Sequence, residues 1–317
     1  MKIVKIGIAL WLFMTPFLLK AQQDTAFKYE VLAGHDNDFT IFGTRTDWHY
    51  TYGIHLGFGW RPKQTNLITQ LFPNKKAFSH YVAAHIQAYT PDYARTYQIV
   101  KTRQPYAGWG YVDFASNYGF ENAFLQLKVD LGILGPAVHA GDIQNFIHQK
   151  FSKDIFVEQW EDQIPNQFGF NLRANYAQDI FTEKWLNLYS LSRISAGNIF
   201  TFFEHGLYFR FGQFNAIGRS VARQQSLLGN GETEIFLEAG FNMNFSAFNA
   251  TIENANAQGE KIVPQNLVNH SILNGHVGVF FSQKRYAIGL KWNYTEGEIK
   301  GNEPHRFAIL AGTYKFN

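Results

Sequence analysis

The chain has 317 residues, 28 Lys+Arg against 25 Asp+Glu for a formal net charge of +3, and no cysteine. So small a basic excess leaves no electrostatic footprint for nucleic acid, and the missing cysteines exclude disulfides, thiolate metal centres and cysteine nucleophiles. Aromatic and charged residues each make up 17%, more of the first and fewer of the second than soluble domains usually carry, and the 46% apolar content excludes intrinsic disorder.

The first element is Met1-Lys2-Ile3-Val4-Lys5, then an apolar run from Ile6 to Leu19, then Lys20-Ala21-Gln22. A basic start, an apolar centre too short for a stable span and a small residue near the cut make residues 1–21 a signal peptide. The mature chain, 22–317, is then expected outside the cytoplasm.

No apolar run of membrane-helix length follows. Alternation takes its place. From Tyr50 to Trp60, Tyr50, Tyr52, Ile54, Leu56, Phe58 and Trp60 share one face, and Thr51, Gly53, His55, Gly57 and Gly59 the other. Period two means a strand. The pattern returns over 123–131, 235–245 and 286–294. The strands are about ten residues long with aromatics near their ends, as in tilted strands crossing an outer membrane. The last segment, His305 to Asn317, alternates and carries an aromatic near its end. The predicted strands are 27–34, 50–60, 79–90, 106–117, 121–132, 168–178, 185–197, 199–212, 232–246, 267–281, 284–297 and 305–316. The expected fold is all-β: a closed antiparallel transmembrane β-barrel of about twelve strands, in one domain. The competing fold is a secreted soluble all-β protein.

With twelve strands, both termini lie at the periplasmic end. The connections 35–49, 91–105 and 133–167 are then extracellular. The last is the longest and contains Gly141 to His148, enough for about two helical turns. A helix there puts Gln144 and His148, four apart, on one face.

Three polar groups converge by this parity. They are His35-Asp36-Asn37-Asp38 atop the first strand, Thr46 to Thr51 atop the second with Thr51 facing inward, and Gln144 with His148. Oxygen donors with few nitrogens suit Ca²⁺ better than Zn²⁺. A neutral imidazole suits a general base acting on water. Each piece also has an ordinary reading: Asp-Asn-Asp as a solvated turn, His148 as a surface histidine and Thr51 as a lumen residue. His55, His85 and His205 read as lumen or wall residues, and Gly229-Asn230-Gly231 as a turn. No Gly-x-Ser-x-Gly elbow or His-Glu-x-x-His motif is present.

The segments Asn37-Asp38 and Asp47-x-x-Tyr50-Thr51-x-Gly53 resemble the amino-terminal motif of the outer-membrane lipid A 3′-O-deacylase family (LpxR-like). The resemblance continues through Pro105-Tyr106-Ala107-Gly108-Trp109, Gly132-Ile133-Leu134-Gly135-Pro136, Gln144-Asn145-x-x-His148 and Trp160-x-Asp162-Gln163-Ile164-x-Asn166-x-x-Gly169. These motifs stand in family order over roughly 27–175. The resemblance implies a twelve-stranded barrel with its active site at the outer rim, facing the exterior. It implies Ca²⁺-dependent hydrolysis of the 3′-linked acyloxyacyl ester of lipid A, by a mechanism similar to secreted phospholipase A2. It assigns His148 as the base, Asn37 and Asp38 to Ca²⁺, and Thr51 and Gln144 to positioning. The family's acidic residue after the histidine corresponds to Asp154, with Glu158 as second choice. Its phosphate-reading lysine corresponds to Lys101, Arg103 or Arg95.

The partners so implied are lipid A and the outer membrane. A monomer is expected, because a closed barrel satisfies its own edges. The rival functions are an outer-membrane phospholipase-like esterase and a non-catalytic barrel, whether a pore, an adhesin or a lipid A-binding protein. A pore needs an open polar lumen. Inward Phe124 and Phe236 beside Lys128, Asp130 and Glu238 point to a plugged one.

Overall fold

The structure is a computed structural model that describes residues 27–37, 49–63, 67–91, 104–152, 157, 159–223, 226–229, 231–302 and 304–317. The expected signal peptide lies outside the described residues. Twelve strands follow in chain order: β1 Tyr29–Asn37, β2 His49–Trp60, β3 Ala77–Thr90, β4 Ala107–Gly119, β5 Ala123–Leu134, β6 Gln167–Thr182, β7 Leu186–Gly197, β8 Phe200–Gln213, β9 Glu234–Asn249, β10 Ser271–Gln283, β11 Tyr286–Thr295 and β12 His305–Phe316. Each pairs antiparallel with its chain neighbours, and β1 pairs with β12 to close the barrel. Closure leaves no edge strand among them.

Period-two alternation decides the two faces. Leu56, Phe114, Leu131, Phe209, Leu237 and Leu310 are exposed large apolar side chains, the outward file that meets lipid in a membrane barrel. Inward positions carry charge that is matched. Asp113 accepts from His85 at 2.8 Å and Lys128 at 3.0 Å. Asp130 pairs with Arg173 at 2.6 Å. Glu238 accepts from the Tyr189 hydroxyl at 2.7 Å and His276 at 2.9 Å, and pairs with Arg223 at 3.2 Å. Buried charges persist only when paired in this way.

The lumen is filled, as Phe124 and Phe236 lead one to expect; both are buried. Much of the filling comes from a source the alternation does not signal. The described residues of the 214–233 connection, between β8 and β9, fold into the end of the barrel that holds the β1 start and the β12 end. They form three short 3₁₀ turns, Ile217–Arg219, Val221–Arg223 and Ser226–Leu228. Ile217, Val221, Ala222 and Leu228 join Phe124, Tyr189, Phe236 and Phe280 in one apolar cluster. Ser226 hydrogen-bonds Glu30 and Thr313, and Arg61 donates to the Leu227 carbonyl. Gly229, in the segment read as a turn, ends this plug, its carbonyl accepting from Arg61 at 3.2 Å.

At the opposite end, the 135–166 connection carries helix α1, Ala140–Ile147. It packs on β3 and β4 and meets β2 through Tyr52.

Candidate functional site

The loop after β5 turns at Gly135, whose φ of +119° suits glycine. A Cβ there would lie 2.8 Å from the Asn166 backbone nitrogen. A 3₁₀ turn, Pro136–Val138, and His139 in the left-handed region (φ 56°) then start α1.

The helix is fastened at three points. The Tyr52 hydroxyl donates to the Ala140 carbonyl at 2.7 Å. The Trp160 indole N–H donates to Gln144 Oε1 at 2.7 Å. The Asn145 amide donates to the Val157 carbonyl at 3.1 Å and accepts from the Val157 N–H at 2.8 Å. Gly141 permits the second contact, since a Cβ there would lie 2.5 Å from the Trp160 ring. Tyr52, Ala88, Tyr106, Ala140, Val157 and Trp160 form the apolar cluster beneath.

Ala140, Gln144 and His148 recur every fourth residue, so they share one helix face. All three are buried. That face is the docked one, because Ala140 meets Tyr52. The helix continues past Ile147 as a π-helical turn, His148–Ser152, a form often found at functional positions. Gln144 has a defined polarity. An indole N–H only donates, so its bond to Oε1 leaves Nε2 as the end of the amide that Trp160 does not engage. Nε2 is buried and has no hydrogen-bond partner among the described residues.

The structure splits the polar group at the top of the first strand. β1 runs on to Asn37 rather than stopping at 34, so alternation sends neighbours to opposite faces. Asp36 turns into the lumen and accepts from Tyr50 at 2.7 Å. Asn37 falls on the outward file with Val31 and Ala33. It is the register partner of Tyr52 on β2 and Ala308 on β12. Its Nδ2 donates to the Thr51 carbonyl at 3.5 Å.

Thr51 is not the inward residue that strict alternation makes it. A β-bulge between Tyr50 and Tyr52 in the pairing with β3 interrupts the period. Tyr50 swings inward to Asp36, and Tyr52 stays on the outward file. The buried Thr51 hydroxyl bonds Thr90 at 2.7 Å, and Thr90 alternates with Ala88 and Ile86 beneath α1. Asn37, Thr51 and the fastened helix therefore gather on the outer wall near its loop end.

Asp38, Asp154, Glu158, Lys101, Arg103 and Arg95 lie outside the described residues. Among the described residues, no group of three or more His, Asp or Glu side chains gathers as a metal site. The adjacent donors at Asn37 and Thr51 are an amide and a backbone carbonyl, hard oxygens of the kind Ca²⁺ takes. Tyr52 and Trp160 are the structural members that sequence reasoning did not assign. Trp160 had a signal, as part of a motif with Asp162 and Gln163. Tyr52 had only its place in an alternating strand.

No curated protein matches the chain. Among solved structures it is similar to LpxR from Salmonella typhimurium, with TM-score 0.72 and 18% identity over 90% of this chain and 100% of that one. It is also similar to the β domain of the Bordetella autotransporter BrkA, with TM-score 0.45 and 9% identity over 92% and 99%. The first likeness carries the barrel fold; the second is too distant to carry an argument. The profile of the family described as outer membrane protein LpxR matches residues 6–316, nearly the whole chain. A twelve-stranded closed barrel with an apolar outer wall, matched end to end by that family, belongs to the LpxR family of outer membrane proteins.

Proposed function

We propose that this protein is a Ca²⁺-dependent hydrolase that removes the 3′-linked acyloxyacyl chain of lipid A, working at the outer rim of the barrel with its loop end facing the exterior. The observation that carries the reading is the docking of α1. It holds Gln144 and His148 on one buried face against the outer wall, next to strands bearing Asn37 and Thr51. A site on the outside of a membrane barrel suits a lipid: the acyl tail stays in apolar surroundings while its ester reaches polar groups.

In this reading His148, neutral, takes a proton from a water as that water's oxygen attacks the ester carbonyl carbon. Gln144 Nε2, the end of the amide that the Trp160 bond leaves unengaged, donates to an oxygen of the reacting group. When the tetrahedral species collapses, the ester C–O bond breaks. His148 returns the proton to the departing sugar oxygen, leaving a hydroxyl and a free fatty acid. Asn37 and Asp38, with the Thr51 carbonyl, would hold Ca²⁺, which when bound supplies positive charge for the carbonyl oxygen. Thr51 fixes the local backbone through Thr90. Asp154, or Glu158, would orient the imidazole, and Lys101, Arg103 or Arg95 would meet lipid phosphate. The filled lumen disfavours a pore.

The test is mass spectrometry of lipid A from cells expressing the protein or His148→Ala, in Ca²⁺ and in chelator. Loss of the 3′ acyl mass only with His148 and Ca²⁺ supports the reading. Unchanged lipid A with shortened phospholipids would replace the substrate. No change in either lipid, with the barrel folded at the surface, would end the enzymatic reading.

A further inference from the structure

On the outer wall of β8–β12, a groove of about 530 Å³ opens toward lipid. Its depth comes from two small outward residues, Gly275 and Ala239. Its sides are the exposed rings of Phe209, Phe241, Trp292 and Tyr294. Among the described residues nothing fills the notch: a Cβ built on Gly275 would meet only a backbone oxygen, at 3.5 Å. At the loop end of the groove stands Arg306, exposed and register-paired with Tyr294. No acidic side chain among the described residues forms an ion pair with it. An apolar trough under a single arginine matches an acyl chain under a phosphate.

The groove adjoins the candidate site. Ala308, two residues along the outward file from Arg306, is the register partner of Asn37. Arg306 is therefore diagonal to Asn37's position, about 7–8 Å away at the backbone by ordinary sheet geometry. Across the outer face the order is the groove on β9–β11, Arg306 on β12, Asn37 on β1 and Tyr52 with α1 on β2. Asn37 stands between the groove and the docked helix.

We propose that this groove is a substrate subsite. One acyl chain of the phosphorylated glycolipid lies over Gly275, between Phe241 and Tyr294, and a phosphate of the same molecule is bound by Arg306. The inference rests on the lipid A reading above and specifies how that substrate is held: α1 on one side of the ester, the groove on the other. The Arg306 guanidinium gives two parallel donors to phosphate oxygens, and the trough admits one chain where Gly275 leaves room.

The full chain in nanodiscs tests this with lipid A and with its phosphate-free derivative, measuring direct binding alongside turnover. Arg306→Gln is expected to raise Kd and KM for lipid A about tenfold, with kcat nearly unchanged and the phosphate-free lipid unaffected. Arg306→Lys restores most of the affinity. Gly275→Leu, which fills the notch on a lipid-facing surface, weakens both lipids about tenfold. Ala239→Leu is the second variant if Gly275→Leu fails to fold. If the parent binds lipid A and the variants bind it equally well, or if the parent binds none, the subsite is overturned. If Arg306→Gln weakens phosphatidylglycerol as much as lipid A, the assignment to the substrate is overturned. A parent that binds but does not cleave ends the hydrolase reading, while the variants' binding still decides the groove.

Discussion

The Tyr52 hydroxyl and the Ala140 carbonyl, 88 residues apart in the chain, meet in a 2.7 Å hydrogen bond. Tyr52 is also the cross-strand partner of Asn37. One side chain thus ties the strand pair bearing the proposed metal ligands to the helix bearing the proposed base. Tyr52→Phe removes the bond and leaves the Ala140 carbonyl less well satisfied, a cost of about 1–2 kcal/mol. The barrel, whose ladders are untouched, should fold as before. Lipid A deacylation should fall about tenfold, since a small shift of the helix misplaces its reacting groups. Heat-modifiability on gels and an initial-rate assay check the two halves. Full activity in Tyr52→Phe would mean the helix is held by its other contacts.

Trp160 sets which end of the Gln144 amide is left to donate. In Trp160→Phe an aromatic ring is kept and the indole N–H is lost, so the amide is free to exchange the positions of its oxygen and nitrogen. The expected result is a fall in kcat of about tenfold with KM little changed, because a donor to the reacting oxygen matters most in the transition state. Gln144→Glu should be worse, since it sets a carboxylate where the reading requires a donor. Equal kinetics for Trp160→Phe and the parent would remove Gln144 from the mechanism as written.

The 214–233 plug should make the barrel impermeable. Liposomes carrying the parent should not swell in small sugars. Replacing 215–231 with a short Gly-rich turn should permit swelling, because it withdraws Ile217, Leu227 and Leu228 from the lumen. Ile217→Ala should destabilise the barrel by about 2–5 kcal/mol through the cavity it leaves, read from urea unfolding in detergent. Swelling with the intact parent would contradict the filled lumen.

Glu298 lies in the loop between β11 and β12, where burial raises its pKa from 4.5 to about 7. The Asn249 amide donates to it at 3.4 Å, and its backbone carbonyl accepts from the Asn269 N–H. For an acid whose folded pKa is raised, the folded loop favours the protonated form. That stability is present below about pH 4.5 and is lost as pH rises through about 7. Hydrogen exchange in 263–269 should therefore quicken between pH 6 and pH 8 beyond the intrinsic rate change, and Glu298→Gln should abolish the excess. A parent as protected at pH 8 as at pH 6 would show that Glu298 ionises without cost.

The strands were legible because a lipid-facing wall imposes period two on every spanning segment. Leu56 and Phe58 against His55 and Gly57 can be read without coordinates. The helix was legible too, since Gln144 and His148 at a spacing of four sit in the longest of the expected loops. The β2 bulge was not legible. One unpaired residue leaves no compositional mark, yet it turns Tyr50 into the lumen, keeps Tyr52 outside and takes Thr51 out of the inward file. The plug was hidden for a related reason: 214–233 has no periodicity, and its burial depends on walls contributed by distant strands.

The sequence by itself therefore determined the class of fold, the count of strands and which residue types the rim carries, since alternation and spacing are local properties that each strand states for itself. Only the tertiary structure decided that the Asn37, Thr51 and α1 positions gather on the outer wall, and that Gln144 presents its nitrogen. Those outcomes depend on register between strands and on single contacts such as Tyr52 with Ala140 and Trp160 with Gln144, which join parts of the chain that no local pattern connects.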